Sequence, residues 1–512
     1  MFFKKNNTMR KYLFSILLGS SLVIGCTKNF DETNTDPRTA PDVPASALLT
    51  KGMLDVSGYD YATWRSNFIY TTLFVQQFAS TGWPQGDKYF YDEGYSSAQW
   101  ADYYPTTIKG LSNLVNKTSE NADEVNYNSA GRVLKVIAYM RLTDLYGDIP
   151  YSQASKGYTE GALTPAYDKQ QDIYNDLLKE LDESATAFSA GKAFAGDIST
   201  YNGDVALWKK ATYSLMLRLA MRLSKVDPAT AKTWAAKAVT GGLISSYTES
   251  FRIKHLSGTY DNPNSHILGY YVGARTELRG DNFKFSKTFY DALNSTADPR
   301  LKILFVVPTV GADDPETDTP GLQKGLPNGT NPSLLASGEL KTFSKLRKGF
   351  VDATDDNILI SHAQTLLLQA EAAERGWASG TPATLFHDAV FSAINQLKLY
   401  GIDGSLFNDG TNQAFANAVP YAGTLDQKLQ AINTQYWIAS LLDGRESFSN
   451  WRRSGYPVLT AVNYSGNYTG GKIPRRLQYP SGETGVNKTN YDAAVARQGA
   501  DNFVTRVWWD KP

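Results

Sequence analysis

Along much of the chain, apolar residues recur at i, i+3, i+4 and i+7, the repeat of a helix packed on one face. Val133, Ile137, Met140 and Leu145 form one stripe. Asp172 opens a second with Ile173, Leu177, Leu181, Ala185 and Phe188, and Asp204 a third with Val205, Trp208, Thr212, Leu215 and Leu219. Between the first two, Gly147 and Pro150 predict a stop, since glycine frees the helix end and proline cannot continue it. Pro228 opens a further helix with Ala231, Trp234, Ala235 and Ala238 on one side, ended by Gly241 and Gly242. The pattern returns after Ser361 with Leu366, Leu367, Ala370 and Ala373. It continues after Thr381-Pro382 with Phe386, Val390, Ala393, Leu397 and Tyr400, and after Thr424 with Leu425, Leu429, Ile432, Tyr436 and Ala439. Upstream, Ser46 to Phe78 predicts two helices, the second striped by Tyr70, Phe74, Val75 and Phe78. Residues 243–360 are irregular, with a loop expected over 311–333. Helix pairs on both sides of an irregular middle predict an all-α fold of stacked hairpins. The scaffold spans about 46–240 and 361–451, within a single domain from 46 to 512.

Rings break this pattern in one place. From Tyr70 to Tyr104, 11 of 35 residues are aromatic, against 12% for the whole chain. Gly82, Pro84, Gly86 and Gly94 forbid a long helix there, so Trp83, Tyr89 and Tyr91 are expected on loops. Such rings either cover neighbouring helices or offer a ligand platform on a rigid scaffold, and the cluster favours the platform, with Trp83 foremost. A second mixed stretch, His266 to Ser286, sets Tyr270, Tyr271, Arg275, Arg279, Asp281 and Asn282 together. These either line a ligand or stitch loops to the core.

The formal charge is zero and no basic block stands out, which argues against a nucleic-acid partner. No cofactor motif is present. The four histidines have no i, i+4 pair and no HExxH, and there is no GxSxG elbow. Gly466 to Lys472 imitates a P-loop, but Ile473 replaces the required hydroxyl residue and Pro474 opposes the helix, so a glycine-rich turn is expected. Asp144, Asp148 and Glu446 could pair as glycosidase carboxylates, yet capping and arginine pairing account for them equally well. Arg452, Arg453, Arg475 and Arg476 are expected to tie loops to helix carboxylates and C-termini.

At the N-terminus, Lys4, Lys5, Arg10 and Lys11 precede an apolar run from Tyr12 to Ile24, too short to span a bilayer. Residues 1–25 therefore read as a signal peptide, with Met9 an alternative start. Val23-Ile24-Gly25-Cys26 resembles a lipobox in which Cys26, the chain's one cysteine, becomes the lipidated first residue. Residues 26–45 read as a tether.

Several motifs occur in an order that resembles the SusD/RagB family of Bacteroidetes surface lipoproteins, and within it the SusD-like branch. They are LYGDIPYSQA, the runs Thr164–Ser184 and Gly203–Ser224, DPRL at Asp298, LLLQAEAAERGW at Leu366, RRSGYP at Arg452 and IPRRLQYPSGE at Ile473. The resemblance implies TPR-like stacked hairpins, with the loop-rich middle carrying the ligand face and 266–286 as its second wall. It further implies a non-catalytic, lipid-anchored protein on the outer membrane. Such a protein takes oligosaccharide, or peptide in some members, and delivers it to a SusC-like TonB-dependent transporter. Two other readings remain: a surface glycan hydrolase, or a docking lipoprotein with no ligand of its own.

Overall fold

The computed structural model describes residues 43–258, 260–271, 282–308 and 316–512, with side chains 158, 159, 270 and 271 set aside. Among the described residues, these longer helices carry the scaffold. They are α1 (Ala45–Ser57), α2 (Lys109–Thr118), α3 (Val125–Tyr146), α4 (Gln170–Ala187), α5 (Val205–Arg222) and α6 (Pro228–Gly241). After the irregular middle come α7 (His362–Glu374), α8 (Pro382–Asn395), α9 (Leu425–Ala439) and α10 (Gly444–Ser454). Most pack chiefly on a chain neighbour, α3 on α4, α4 on α5, α5 on α6 and α7 on α8, whereas α9 packs mainly on α7 and α10 on the winding Thr63–Thr72, and α5 on α7 joins the two halves. This is the stacked-hairpin arrangement that the periodicity predicts.

Helix starts follow local chemistry. Asp204 accepts from Ala206 N and Leu207 N, and Asp227 caps the helix that Pro228 begins. Ser361 and Thr424 each form a reciprocal capping box with Gln364 and Gln427. Asp172 does not open α4. That helix begins at Gln170 without a side-chain cap of its own, and Asp148 supplies the acceptor to Gln170 N at 2.9 Å.

The expectation of a one-sided stripe fails for α3, which is buried on every side from Val136 to Tyr146. Besides its helical neighbours, the C-terminal segment closes over it: Leu477 N donates to Leu145 O, and Gln498 Nε2 to Tyr146 O. Gly147 ends the helix at φ +86°, where a Cβ would lie 1.6 Å from Gln498 Oε1. Only glycine admits both the backbone and the contact.

Phe78 also departs from its predicted helix. The chain from Thr63 to Thr72 winds as a π-helix, then turns, and Phe78–Ser80 pairs antiparallel with Phe283–Phe285. Phe251–Ile253 pairs with Asn357–Ile360, and Phe305–Pro308 lies between Glu316–Thr317 and Lys345–Leu346. The stretch expected to be loop over 311–333 therefore contributes Glu316–Thr317 as an edge strand. Stacked rings fasten this middle to the scaffold: Phe78 on Phe285 at 4.7 Å, Phe285 on Phe305 at 3.8 Å, and Phe289 edge-on to Trp437 of α9 at 5.0 Å.

Candidate functional site

The ring-rich segment is shaped by what lies beneath it. Buried Tyr70 donates from its hydroxyl to Phe90 O at 3.1 Å and accepts from Asp92 N at 3.0 Å. Pinning residues 90 and 92 turns Tyr91 outward, and its ring is exposed and stacks at 5.3 Å on Tyr468, also exposed. Phe503 forms the floor, 5.8 Å from Tyr91, 5.5 Å from Tyr468 and 5.4 Å from Tyr70.

A second group of rings adjoins this floor through Tyr95, 5.9 Å from Tyr70. Trp64 stands 5.7 Å from Tyr95 and 6.4 Å from Trp83, edge-on to both. The Arg65 guanidinium lies 3.6 Å over the exposed Tyr61 ring and 4.4 Å from Trp64. Gly86 permits the close seating of the Trp83 turn, since a Cβ there would fall 1.6 Å from Ile69 O on the π-helix. Asn328 Nδ2 and Gly329 N hold that turn from behind by donating to Asp87 at 2.7 and 2.6 Å. Burial pushes the Asp87 carboxyl up to about 6 against the pull of Lys88.

The expected second wall is joined to the first at both ends. His266 Nδ1 meets Asp60 Oδ2 at 2.7 Å, which ties the helix Pro263–Tyr271 to the start of the Tyr61–Arg65 turn. Thr81 N donates to Asn282 O at 3.0 Å, and Thr81 Oγ1 to Asn282 Oδ1 at 3.1 Å. Asn282 is exposed and lies directly over Gly82, beside Trp83. Tyr270 and Tyr271 end the helix, but their side chains lie outside the described residues, as do Arg275, Arg279, Asp281 and Cys26.

Tyr89 requires a correction. It is 1% exposed, with φ +60°, and accepts from Val462 N through its hydroxyl and from Tyr468 N through its carbonyl. It seats the glycine-rich turn that carries Tyr468 and does not face solvent. Sequence reasoning missed Tyr61, Trp64, Arg65, Tyr95 and Tyr468. The spacing of Tyr61, Trp64 and Arg65 at i, i+3, i+4 was a usable signal, masked by the apolar stripe beside it.

Of the three carboxylates considered for a glycosidase pair, Asp148 pairs with Arg497 at 3.0 Å, and Asp144 and Glu446 are sealed away. Arg222 bridges Glu446 at 2.7 Å and Asp144 at 3.2 Å, and both carboxylates are buried. Trp509 Nε1 and Tyr174 also donate to Asp144, and Tyr436 donates to Glu446. Among the described residues no cluster of His, Cys, Asp and Glu is set to hold a metal. What the exposed face offers is flat apolar rings beside a guanidinium, a carboxamide and hydroxyls. This chemistry suits amphipathic ligands that present an apolar face and a polar edge.

Over residues 37–480 the sequence matches the SusD-like family, described as starch-binding and associating with the outer membrane. Among solved structures, a chitin-binding protein is similar at 34% identity and TM-score 0.82, with 92% of this chain and 100% of that chain covered. A SusD homologue from Bacteroides uniformis has 27% identity and TM-score 0.77, covering 92% and 100%. A chitin-binding SusD homologue from Flavobacterium johnsoniae has 26% identity and TM-score 0.74, covering 91% and 98%. No curated protein matches.

Proposed function

Because the chain belongs to the SusD-like family, we propose that it is a non-catalytic glycan-binding lipoprotein of the outer cell surface. It captures oligosaccharide on the face built from Trp64, Trp83, Tyr61, Arg65 and Asn282, and hands it to a SusC-like TonB-dependent transporter. The observation that carries this reading is the set of half-buried and exposed rings held on a rigid buried floor. They make a surface ready to stack on sugar faces without prior ordering. The ligand class is a β-linked N-acetylglucosamine oligosaccharide of chitin type. Two similar structures described as chitin-binding support it. So does the site's chemistry: the apolar ring faces suit pyranose C–H groups, and Asn282 and Arg65 offer donors to an acetamido carbonyl.

Calorimetric titration of the purified protein with N-acetylchitohexaose, maltoheptaose and a peptide panel tests this. Chitohexaose is expected to bind and to remain uncleaved. Trp83→Ala is expected to weaken it about tenfold, the value of one ring stack of about 1.5 kcal/mol, with the melting temperature nearly unchanged. Binding of maltoheptaose alone would move the ligand class to starch. Silence across the panel, with the transporter still co-purifying, would leave the docking reading.

A further inference from the structure

Away from that face, the helical scaffold holds a cavity of about 620 Å³ between the end of α6, the turn after it, α7 and α8. Its size falls within the roughly 300–1,000 Å³ usual for small-molecule sites. No residue of the ring platform lines it. Half-buried Tyr247 and Phe391 contribute rings, and Leu243 and Leu366 apolar surface. The polar lining includes His362, Ser392, Gln369, Gln413 and Asp388 beside the serines of the turn after α6.

The charge pattern narrows the occupant. No lysine or arginine lines the cavity directly, and Lys210, which donates to the lining Ser245 Oγ at 3.0 Å, is neutralised by Glu249 at 2.9 Å, so an anion finds no free counter-charge. Burial pushes the His362 imidazole down to about 4, so the ring is neutral at physiological pH. Its Nδ1 meets Ser392 Oγ at 2.9 Å, while Nε2 has no protein partner among the described residues. In the tautomer in which Ser392 donates to Nδ1, Nε2 carries the proton as a donor to a ligand, and in the other tautomer it is an acceptor. Gln369 and Gln413 each spend one amide hydrogen, on Ser379 O and Asn417 Oδ1, leaving the other hydrogen and the carbonyl oxygen to a ligand. Asp388 is exposed at the rim without an ion-pair partner among the described residues, a further acceptor for hydroxyls. Neutral donors, several acceptors and two rings together match a short uncharged saccharide better than an anion or a lipid chain.

We propose that this cavity is a second saccharide-binding site, separate from the ring platform and built into the helical frame. It holds one end of an oligosaccharide or a short fragment. It rests on the proposed glycan-binding function for its ligand class, and its residues can be tested independently. Two sites on one rigid body raise the effective concentration of a long chain at the surface, so avidity grows without tighter single contacts.

The test is methyl-resolved NMR of the full mature chain, following Leu243 and Leu366, with N-acetylchitotriose, maltotriose and triglycine as probes. A saturable shift of these methyls with either sugar is expected in the native protein and, unchanged, in Trp83→Ala. Phe391→Ala and the milder Gln369→Ala are expected to abolish or weaken the shift several-fold while the calorimetric signal from the platform persists. Methyls that stay still with both sugars, or that move only with triglycine, overturn the proposal even if the platform binds. A shift lost in Trp83→Ala overturns it as well, since the cavity would then only report on the platform. Platform silence with a persisting methyl shift overturns instead the assignment of the ring face.

Discussion

Gly86 fixes how closely the Trp83 turn approaches Trp64. Its backbone φ is ordinary, so its role is space: an added Cβ would meet Ile69 O at 1.6 Å and Leu73 Cβ at 2.9 Å. Neither atom is a flexible tip. Gly86→Ala is therefore expected to cost about 1–3 kcal/mol as overpacking and to push Trp83 off the π-helix. Denaturant unfolding and chitohexaose titration should both register the change, and an unaltered affinity would show that Trp83 acts without Trp64. At this scale the sequence was legible where glycine and proline forced rings into loops, as at Trp83. It was not legible where a single dihedral decides which ring turns outward. Tyr89 and Tyr91 have the same composition around them, yet φ +60° at Tyr89 sends one inward, and the Tyr70 hydroxyl pins the neighbours of the other. That hydroxyl comes from a residue that the pattern marked only as apolar stripe.

Among the elements, α7 and α10 are locked by one buried ion pair. Arg453 gives two nitrogens to Glu371, at 2.8 Å each, and both side chains are almost wholly buried. Burial alone would raise the Glu371 carboxyl, but Arg453 and Arg375 outweigh it and hold it down at about 2. The folded value thus lies below the unfolded one. The stability it contributes is complete above the ordinary carboxylate range and is lost as pH falls through that range towards 2. Glu371→Ala leaves Arg453 buried without its partner and is expected to cost about 3–5 kcal/mol near neutral pH. Urea unfolding should show this gap narrowing in acid, and a gap independent of pH would mean that the charge is not what holds α10. Periodicity revealed α7 and its neighbours because each shows one apolar face. It misjudged α3, where Arg141, Thr143 and Asp144 interrupt the stripe and are nonetheless buried. Their partners lie far along the chain: Val56 O and Tyr103 for Arg141, Gln170 for Thr143, and Tyr174, Arg222 and Trp509 for Asp144. No window of sequence brings those residues together.

For the whole molecule, the family's all-helical, tetratricopeptide-like fold supplies the frame on which the proposed ring platform sits. Residues Ala45–Pro512 form one unit, with the ring ladder from Phe78 to Trp437 welding the irregular middle to the helices. Phe285 sits at its centre, fully buried between Phe78 and Phe305. Phe285→Ala is expected to lower stability by about 3–5 kcal/mol and to keep a single calorimetric transition. Two transitions would show that the middle unfolds on its own. Among the described residues no helix is long and apolar enough to cross a bilayer. On the proposed lipoprotein reading, retention at the surface falls to acyl chains on Cys26, each buried CH₂ contributing about 0.8 kcal/mol. Cys26→Ala is expected to shift the protein from the membrane to the soluble fraction and to abolish labelling by a fatty-acid analogue. Chitohexaose affinity is expected to stay the same, because the platform residues Tyr61, Trp64, Arg65, Trp83 and Asn282 all belong to the unit Ala45–Pro512. A variant that remained with the membrane unlabelled would place the attachment in protein contacts with the transporter rather than in lipid.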